Sequence, residues 1–114
     1  MQTRTIDIDE FSIKEYIESK RSENPEIRKQ LDFGYSYNNQ VFELFETRPV
    51  WNNTKEIQNV SFAKIRYYKS KQLWHLYWPR ANGKWELYEP FPTSSHLAKI
   101  IEVIEADSNG CFYG

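Results

Sequence analysis

The stretch QLWHLYWP, residues 72–79, decides the fold of this chain, because a large apolar side chain fills every second position from Trp74 onward. Such alternation is typical of a β-strand with one buried face and one open face. The strand then presents two sets of side chains, with Trp74, Leu76 and Trp78 on one face and His75 and Tyr77 on the other. We therefore predict a strand whose even-numbered side chains enter the core.

Two turn signals flank this strand and set its register with the neighbouring strands. Ser70-Lys71 precedes it, and Asn82-Gly83, the strongest hairpin signal in the chain, follows it. If both are two-residue turns, Trp78 lies opposite Ala63 on one side and opposite Leu87 on the other. The core face then contains Ala63, Ile65, Tyr67, Trp74, Leu76, Trp78, Trp85 and Leu87. The open face contains Phe62, Lys64, Arg66, Tyr68, Leu73, His75, Tyr77, Glu86 and Tyr88.

The same period of two predicts the other strands of the sheet. Residues 33–37 and 41–45 flank Asn38-Asn39, a pair that tolerates the positive φ of a tight turn. Residues 57–68 and 84–89 complete the set. We expect a meandering antiparallel sheet of about five strands, with the segment PVWNNTKE at 49–56 as a long loop.

Helical patterns lie at both ends of the chain. An amphipathic helix follows Asp7 or Asp9, and Asn24-Pro25 begins a second, short helix. The last helix begins after Thr93 or Ser94, with isoleucines along one face. The sequence therefore predicts an α+β fold in which the N- and C-terminal helices pack on one face of the sheet.

Length and composition limit the classes of function. The 114 residues suit a single domain, residues 1–114, and aromatic residues make up 17% of them, which favours sheet. The net charge of −1, from 15 basic and 16 acidic residues, gives no overall attraction to nucleic acid or anionic lipid. The chain begins with no apolar run that could serve as a signal peptide or membrane span. We expect a cytoplasmic protein without membrane contact.

Metal and cofactor sites find no support in the sequence. Cys111 is the single cysteine, so it cannot form an internal disulfide. His75 and His96 are the only histidines, and their spacing is not that of a metal site. We expect neither a metal nor a cofactor.

The open face combines cationic side chains with aromatic rings. Lys64 and Arg66 would lie beside Tyr77 and His75 on the next strand, and Tyr88 beside Tyr77 on the strand after that. One interpretation is an ordinary solvated face whose rings shield the backbone. The other is a contact surface for a protein, a peptide or a second copy of the chain in a homodimer, because exposed tyrosine and arginine are enriched at interfaces.

A second group of candidate site residues lies just before and within the loop 49–56. Glu46, Arg48 and Trp51 could form a pocket with Arg66 that receives an anion or a carbonyl, with His75 nearby as an acid or base. That would make the protein a small enzyme. The structural alternative is that Glu46 pairs with Arg48 or Arg66 and fixes the loop, while Trp51 covers the edge of the core.

Binding of single-stranded nucleic acid is a third hypothesis. Basic residues alternate with tyrosines on and near the third and fourth strands, namely Lys64, Arg66, Lys69, Lys71 and Arg80. Single-strand binding surfaces combine such cations with stacking rings. The balanced net charge and the absence of a ribonucleoprotein motif count against this hypothesis.

Four segments of the chain carry a family pattern, namely LFETRPVW (44–51), AKIRYYKSKQLWHLYW (63–78), KWELYEP (84–90) and DSNGCFYG (107–114). Together they resemble a small, mostly bacterial family catalogued as domain of unknown function 3024. The family pattern is matched by Glu46, Arg48, Pro49 and Trp51, by Ala63, Arg66 and Tyr67, by Trp74, Leu76 and Tyr77, by Trp85 and Tyr88, and by Asp107, Gly110, Phe112 and Gly114. Tyr113 departs from it, since the family has tryptophan there.

The resemblance covers nearly the whole chain from about Gly34 onward. It implies the architecture, and it brings no activity, substrate or cofactor with it. The leading hypothesis is therefore a non-catalytic interaction module that uses its open face and the 49–56 loop.

Overall fold

The computed structural model of the chain describes residues 6–113, with side chains from Ile8 onward. The elements are α1 (Ile6–Lys20), α2 (Pro25–Arg28), β1 (Asp32–Asn38), β2 (Val41–Val50), β3 (Asn53–Tyr68), β4 (Leu73–Pro79), β5 (Trp85–Leu87), β6 (Thr93–Ser94) and α3 (Leu97–Ala106). An antiparallel sheet carries helices at both ends of the chain, which confirms the α+β prediction.

The predicted helix start is confirmed for α2 but not for α1. Helix α1 already contains Asp7 and Asp9, so neither residue precedes it as predicted, and Asp9 is buried. Helix α2 begins as predicted. The Asn24 side chain accepts a hydrogen bond of 2.9 Å from the Glu26 N–H, and Pro25 occupies the first helical position, where its missing N–H costs nothing.

Helix α3 begins later than predicted. Thr93 and Ser94 do not cap it, because their backbone pairs with β4 as strand β6. The residue before the helix is His96, whose side chain makes no capping hydrogen bond. The helix ends at Asp107, which adopts the left-handed conformation with φ of 43°.

The sheet has the order β1-β2-β3-β4-β5, and β6 also pairs with β4. The β3–β4 register is the predicted one, with Tyr67 opposite Trp74 and Arg66 opposite His75. The connecting turn is wider than the predicted Ser70-Lys71 pair, since Tyr68 and Leu73 are the last paired residues. Because two residues are added symmetrically, the predicted faces of β3 and β4 are kept.

The next hairpin differs from its prediction by one residue. Gly83 has φ of +85° and donates to the Arg80 carbonyl, while the Arg80 N–H donates to the Lys84 carbonyl. The loop therefore has three residues, and Trp78 lies opposite Glu86 instead of Leu87. This shift moves the predicted core residues Trp85 and Leu87 to the open face.

Tyr88 moves in the opposite direction for the same reason. It is only 3% exposed, its ring packs on that of Phe112, and its hydroxyl accepts a hydrogen bond from the Asn109 side chain. The prediction that Tyr88 lies on the open face beside Tyr77 was wrong. Tyr77 instead lies opposite Leu87.

Phe62 is also buried instead of open. A β-bulge separates the pair Leu44–Ala63 from the pair Phe45–Ser61, so Phe62 is the extra residue of β3. Phe62 and Ala63 consequently both lie in the core, at 3% and 0% exposure.

The core lies between one face of the sheet and the helices. Phe42, Ile65 and Leu76 form a row across three strands, and each is fully buried. Trp74 is 1% exposed in the same layer, as predicted. The helices complete the core with Ile13, Tyr16 and Ile17 of α1 and Leu97, Ile100 and Ile104 of α3.

Candidate functional site

The segment predicted as the loop 49–56 is the tip of a two-stranded arm. Strand β1 pairs with β2 only over residues 41–47 of β2, and β4 pairs with β3 only over residues 64–68 of β3. Residues 48–58, which we call the β-arm, therefore pair only with one another within the described part of the chain. The prediction of a loop was wrong because β2 and β3 continue for several residues past the sheet.

The arm ends in an irregular tip. Val50 pairs with Asn53 around the turn Trp51-Asn52, and the ladder then shifts, so that the next pair is Pro49 with Ile57. Residues 51–60 are all exposed. Trp51 is 88% exposed and Ile57 is 69% exposed, which is unusual for side chains of this size. Trp51 does not cover the edge of the core as the structural alternative expected.

Glu46 and Arg48 lie together at the base of the arm. The Glu46 Oε1 and Arg48 Nη2 atoms are 3.6 Å apart, which agrees with the predicted ion pair. Glu46 lies opposite Phe33, on the helix side of the sheet. Arg66 lies opposite His75 on the open face. The structure therefore does not assemble the pocket that we expected from Glu46, Arg48, Trp51 and Arg66.

The open face brings together the other candidates. The Lys64 Nζ atom lies 4.9 Å from the ring centre of Tyr77 and 5.4 Å from that of Trp85. The Arg66 guanidinium lies 4.8 Å from the ring centre of Tyr68. These distances are those of cation–π contacts. The sequence predicted that Trp85 lies in the core. Placing it on the open face would have required knowing that the turn at Gly83 has three residues.

Hydrogen bonds and burial shift the pKa values of two polar groups on this face. The hydroxyl groups of Tyr68 and Tyr77 are 3.1 Å apart, and burial together with this contact raises the pKa of Tyr77 to about 12. His75 stacks 4.2 Å from the Tyr68 ring centre. Burial, with Lys71 and Arg66 nearby, lowers the pKa of His75. His75 is therefore a neutral side chain near pH 7, and its buried Nδ1 atom has no hydrogen-bond partner among the described residues.

A second polar cluster joins the helices to the C-terminal segment. The Tyr16 hydroxyl is hydrogen-bonded to the Tyr113 hydroxyl and donates to Glu105 at 2.9 Å, and Lys20 Nζ lies 3.0 Å from the same carboxylate. A shallow cavity of about 450 Å³ lies beside it between α1 and α3. These side chains bind one another, so we assign the cluster a role in holding the segment against the helices.

Asp107 fixes the conformation of the C-terminal motif through hydrogen bonds to its backbone. Its carboxylate accepts hydrogen bonds from the N–H groups of Phe112 and Tyr113, at 3.0 and 2.8 Å. Gly110 has φ of +66°, a conformation that favours glycine. The motif residues thus fold the chain back onto the core, while Gly114 lies outside the described residues.

Two further features are absent from residues 6–113. No group of three or more His, Cys, Asp or Glu side chains suited to a metal ion occurs in this part of the chain. None of its helices combines the length and the apolar character needed to cross a bilayer.

Comparison with known proteins identifies the family. The sequence profile described as "Domain of unknown function (DUF3024)" matches residues 1–114. No curated protein and no solved structure matches the chain. Because the match covers the whole chain, including the motifs around Arg48, Trp74 and Asp107, this chain belongs to the DUF3024 family.

Proposed function

We propose that this protein is a non-catalytic interaction module whose β-arm binds a protein or peptide, a second copy of the chain included. The observation that carries this proposal is the 88% exposure of Trp51 at the tip of the arm. Tryptophan contributes strongly to binding where a partner buries it, because the ring removes a large apolar area from water. Ile57 in the arm and Val60, two residues beyond it on β3, add exposed apolar area.

The backbone of the arm supports the same function. The far edge of β3 from Ile57 to Ser61 is not paired with any strand among the described residues. Its sequence, IQNVS, contains neither a charge nor a proline, the features that commonly protect an edge from pairing. An extended segment of a partner can add to such an edge through main-chain hydrogen bonds.

An isolated two-stranded ribbon is marginally stable in water. Binding of a partner strand would complete the ribbon and cover Trp51 at the same time. The side chains of the open face are suited less well to this role, because Tyr68, Tyr77 and Trp85 are only half-exposed. The enzyme alternative required Arg66 beside Glu46, and these residues lie on opposite faces of the sheet.

Site-specific photo-crosslinking in the producing cells tests this function. A benzoylphenylalanine replaces Trp51 in one variant and the exposed Lys99 of α3 in a control variant. We expect a discrete adduct from position 51 only, and we expect Ile57→Ser to abolish it. The mass of the adduct distinguishes a second copy from another protein.

Two results would contradict the proposal. One is the same adduct pattern from positions 51 and 99. The other is a position-51 adduct that Ile57→Ser leaves unchanged, because the arm would then not be the surface that selects the partner.

A further inference from the structure

The open face carries a strip in which aromatic rings and cations lie side by side across three strands. Its members, linked by successive contacts, are Trp85, Lys64, Tyr77 and Tyr68, with Arg66 and His75 both against the Tyr68 ring. Lys64 lies between the first two rings, and Arg66 lies against the Tyr68 ring on which His75 stacks. Each cation is therefore held beside a ring that is itself half-exposed.

This face is basic although the whole chain is not. Lys69 and Lys71, both exposed, extend the strip into the turn that joins β3 to β4. The acidic residue that the register places among these cations is Glu43, opposite Lys64. Its carboxylate accepts a hydrogen bond of 2.8 Å from Ser61. The face thus presents a local positive charge within a chain whose net charge is −1.

We infer that this face binds single-stranded nucleic acid. Lys64, Arg66, Lys69 and Lys71 would contact phosphates, and the rings of Tyr68, Tyr77 and Trp85 would stack on bases. The rings of an open sheet face can stack on unpaired bases, whereas the bases of a duplex are already stacked on one another. This inference is independent of the proposed function, since the strip shares no side chain with the β-arm.

An acidic peptide is the other polyanion that the cations could attract. The strip favours nucleic acid because it places aromatic rings beside cations, and each nucleotide of a single strand presents both a phosphate and a planar base. A peptide of carboxylates would use the cations and leave the rings unused. Inorganic polyphosphate would likewise use the cations and leave the rings unused.

Fluorescence anisotropy of a labelled oligouridylate of roughly a dozen nucleotides tests the inference, a length that single-strand surfaces cover. We expect affinity to fall as salt rises, by about 0.7 of a decade per decade of salt for each phosphate contact. The double variant K69Q/K71Q should bind more weakly and with a smaller salt dependence. The control variant K14Q/K99Q removes the same charge from exposed lysines of α1 and α3 and should bind as the wild type does.

A second part of the experiment tests the contribution of the aromatic rings. Trp85→Leu should lower the affinity for the oligonucleotide about tenfold, the loss expected when one stacked base is released. It should leave the affinity for inorganic polyphosphate and for polyglutamate unchanged. A duplex of the same length should bind more weakly than the single strand. Thermal melting establishes that each variant is folded.

Three results would overturn the inference. The first is no salt-dependent binding of the single strand by the folded protein. The second is an equal loss in K69Q/K71Q and K14Q/K99Q, which would show attraction to charge in general. The third is an unchanged oligonucleotide affinity in Trp85→Leu, which would show a polyanion site that does not read bases.

Discussion

At the scale of single residues, Phe62 shows how one extra residue in a strand changes what a side chain does. Alternation along β3 predicts that Phe62 is open, and the bulge beside Ala63 places it in the core. Its ring contacts those of Phe33 and Tyr113, at centre distances of 6.2 and 4.9 Å. Phe62 thereby connects β1, β3 and the C-terminal segment.

Replacing Phe62 should therefore be costly. We expect Phe62→Ala to lower the free energy of unfolding by about 3 to 5 kcal/mol, the usual loss for a buried phenylalanine. Phe11→Ala removes an equal side chain that is 61% exposed and should change it by about 0.5 kcal/mol or less. Urea denaturation measures both. Similar losses in the two variants would contradict the bulge.

His75 should make stability depend on pH. Burial and the nearby Lys71 and Arg66 lower its pKa in the folded protein, so the unfolded chain takes up a proton more readily. Its contribution to stability is therefore complete above the unfolded pKa of about 6.5 and is lost as pH falls below that value. We expect the free energy of unfolding to fall less between about pH 7 and about pH 5 in His75→Gln than in the wild type.

The matched control for this prediction is His96→Gln. His96 lies exposed before α3, and its replacement should keep the wild-type difference between the two pH values. If His75→Gln and His96→Gln behave alike in urea denaturation, the environment described for His75 is wrong.

At the scale of elements, turn chemistry set the limit of sequence-based prediction. The β3–β4 register was predicted correctly because widening the turn by one residue on each side preserves the pairing. The first hairpin shifted its turn from Asn38-Asn39 to Asn39-Gln40, both with positive φ, and also kept its faces. Asn82-Gly83 instead gained one residue on one side only, which exchanged the faces of β5.

Other features gave no signal of comparable strength. Strand β6 has two residues, too few for a periodic pattern. Pro49, Asn52 and Asn53 predict a loop, because these residue types are common in turns. In the structure β2 and β3 nevertheless continue to pair in this segment. The candidate site residues were likewise predicted correctly where the register was correct. The β3–β4 pairing placed Lys64, Arg66, His75 and Tyr77 together, whereas the position of Tyr88 depended on the turn at Gly83.

Gly83 offers a test of the backbone conformation of this turn. Apart from its two chain neighbours, no described residue has an atom within 4 Å of a Cβ built at this position, so a substitution there is limited by backbone conformation and not by space. With φ of +85°, Gly83→Ala should lower the free energy of unfolding by about 1 kcal/mol. Gly83→Asn should cost less, because asparagine tolerates the left-handed region better. Equal stability of Gly83→Ala and the wild type in thermal melting would contradict the left-handed conformation of Gly83.

At the scale of the whole molecule, the fold divides into a core that holds the chain together and an arm that contributes no core residue. The buried cluster draws on α1, β2, β3, β4, α3 and the C-terminal segment. None of its members lies between residues 48 and 58. Stability and the proposed binding function therefore reside in different parts of the chain.

Shortening the arm should leave the rest of the protein folded. In the variant that we propose, an Asn-Gly turn joins Arg48 directly to Gln58, which already face each other in the ladder. Its Tm should stay within about 4 °C of the wild type, the shift that roughly 1 kcal/mol produces. Circular dichroism melting measures this. Loss of the cooperative transition would show that the arm is part of the folding core.

The exposure of Trp51 is the claim on which the proposed function depends, and iodide quenching of tryptophan fluorescence tests it most directly. Trp74 is buried and Trp78 and Trp85 are half-buried, so Trp51 should supply most of the quenchable emission of the dilute protein. We predict that Trp51→Phe removes this quenchable fraction and shifts the remaining emission to shorter wavelength. If quenching and emission are the same in Trp51→Phe and the wild type, Trp51 is covered and the β-arm is not the free binding element described.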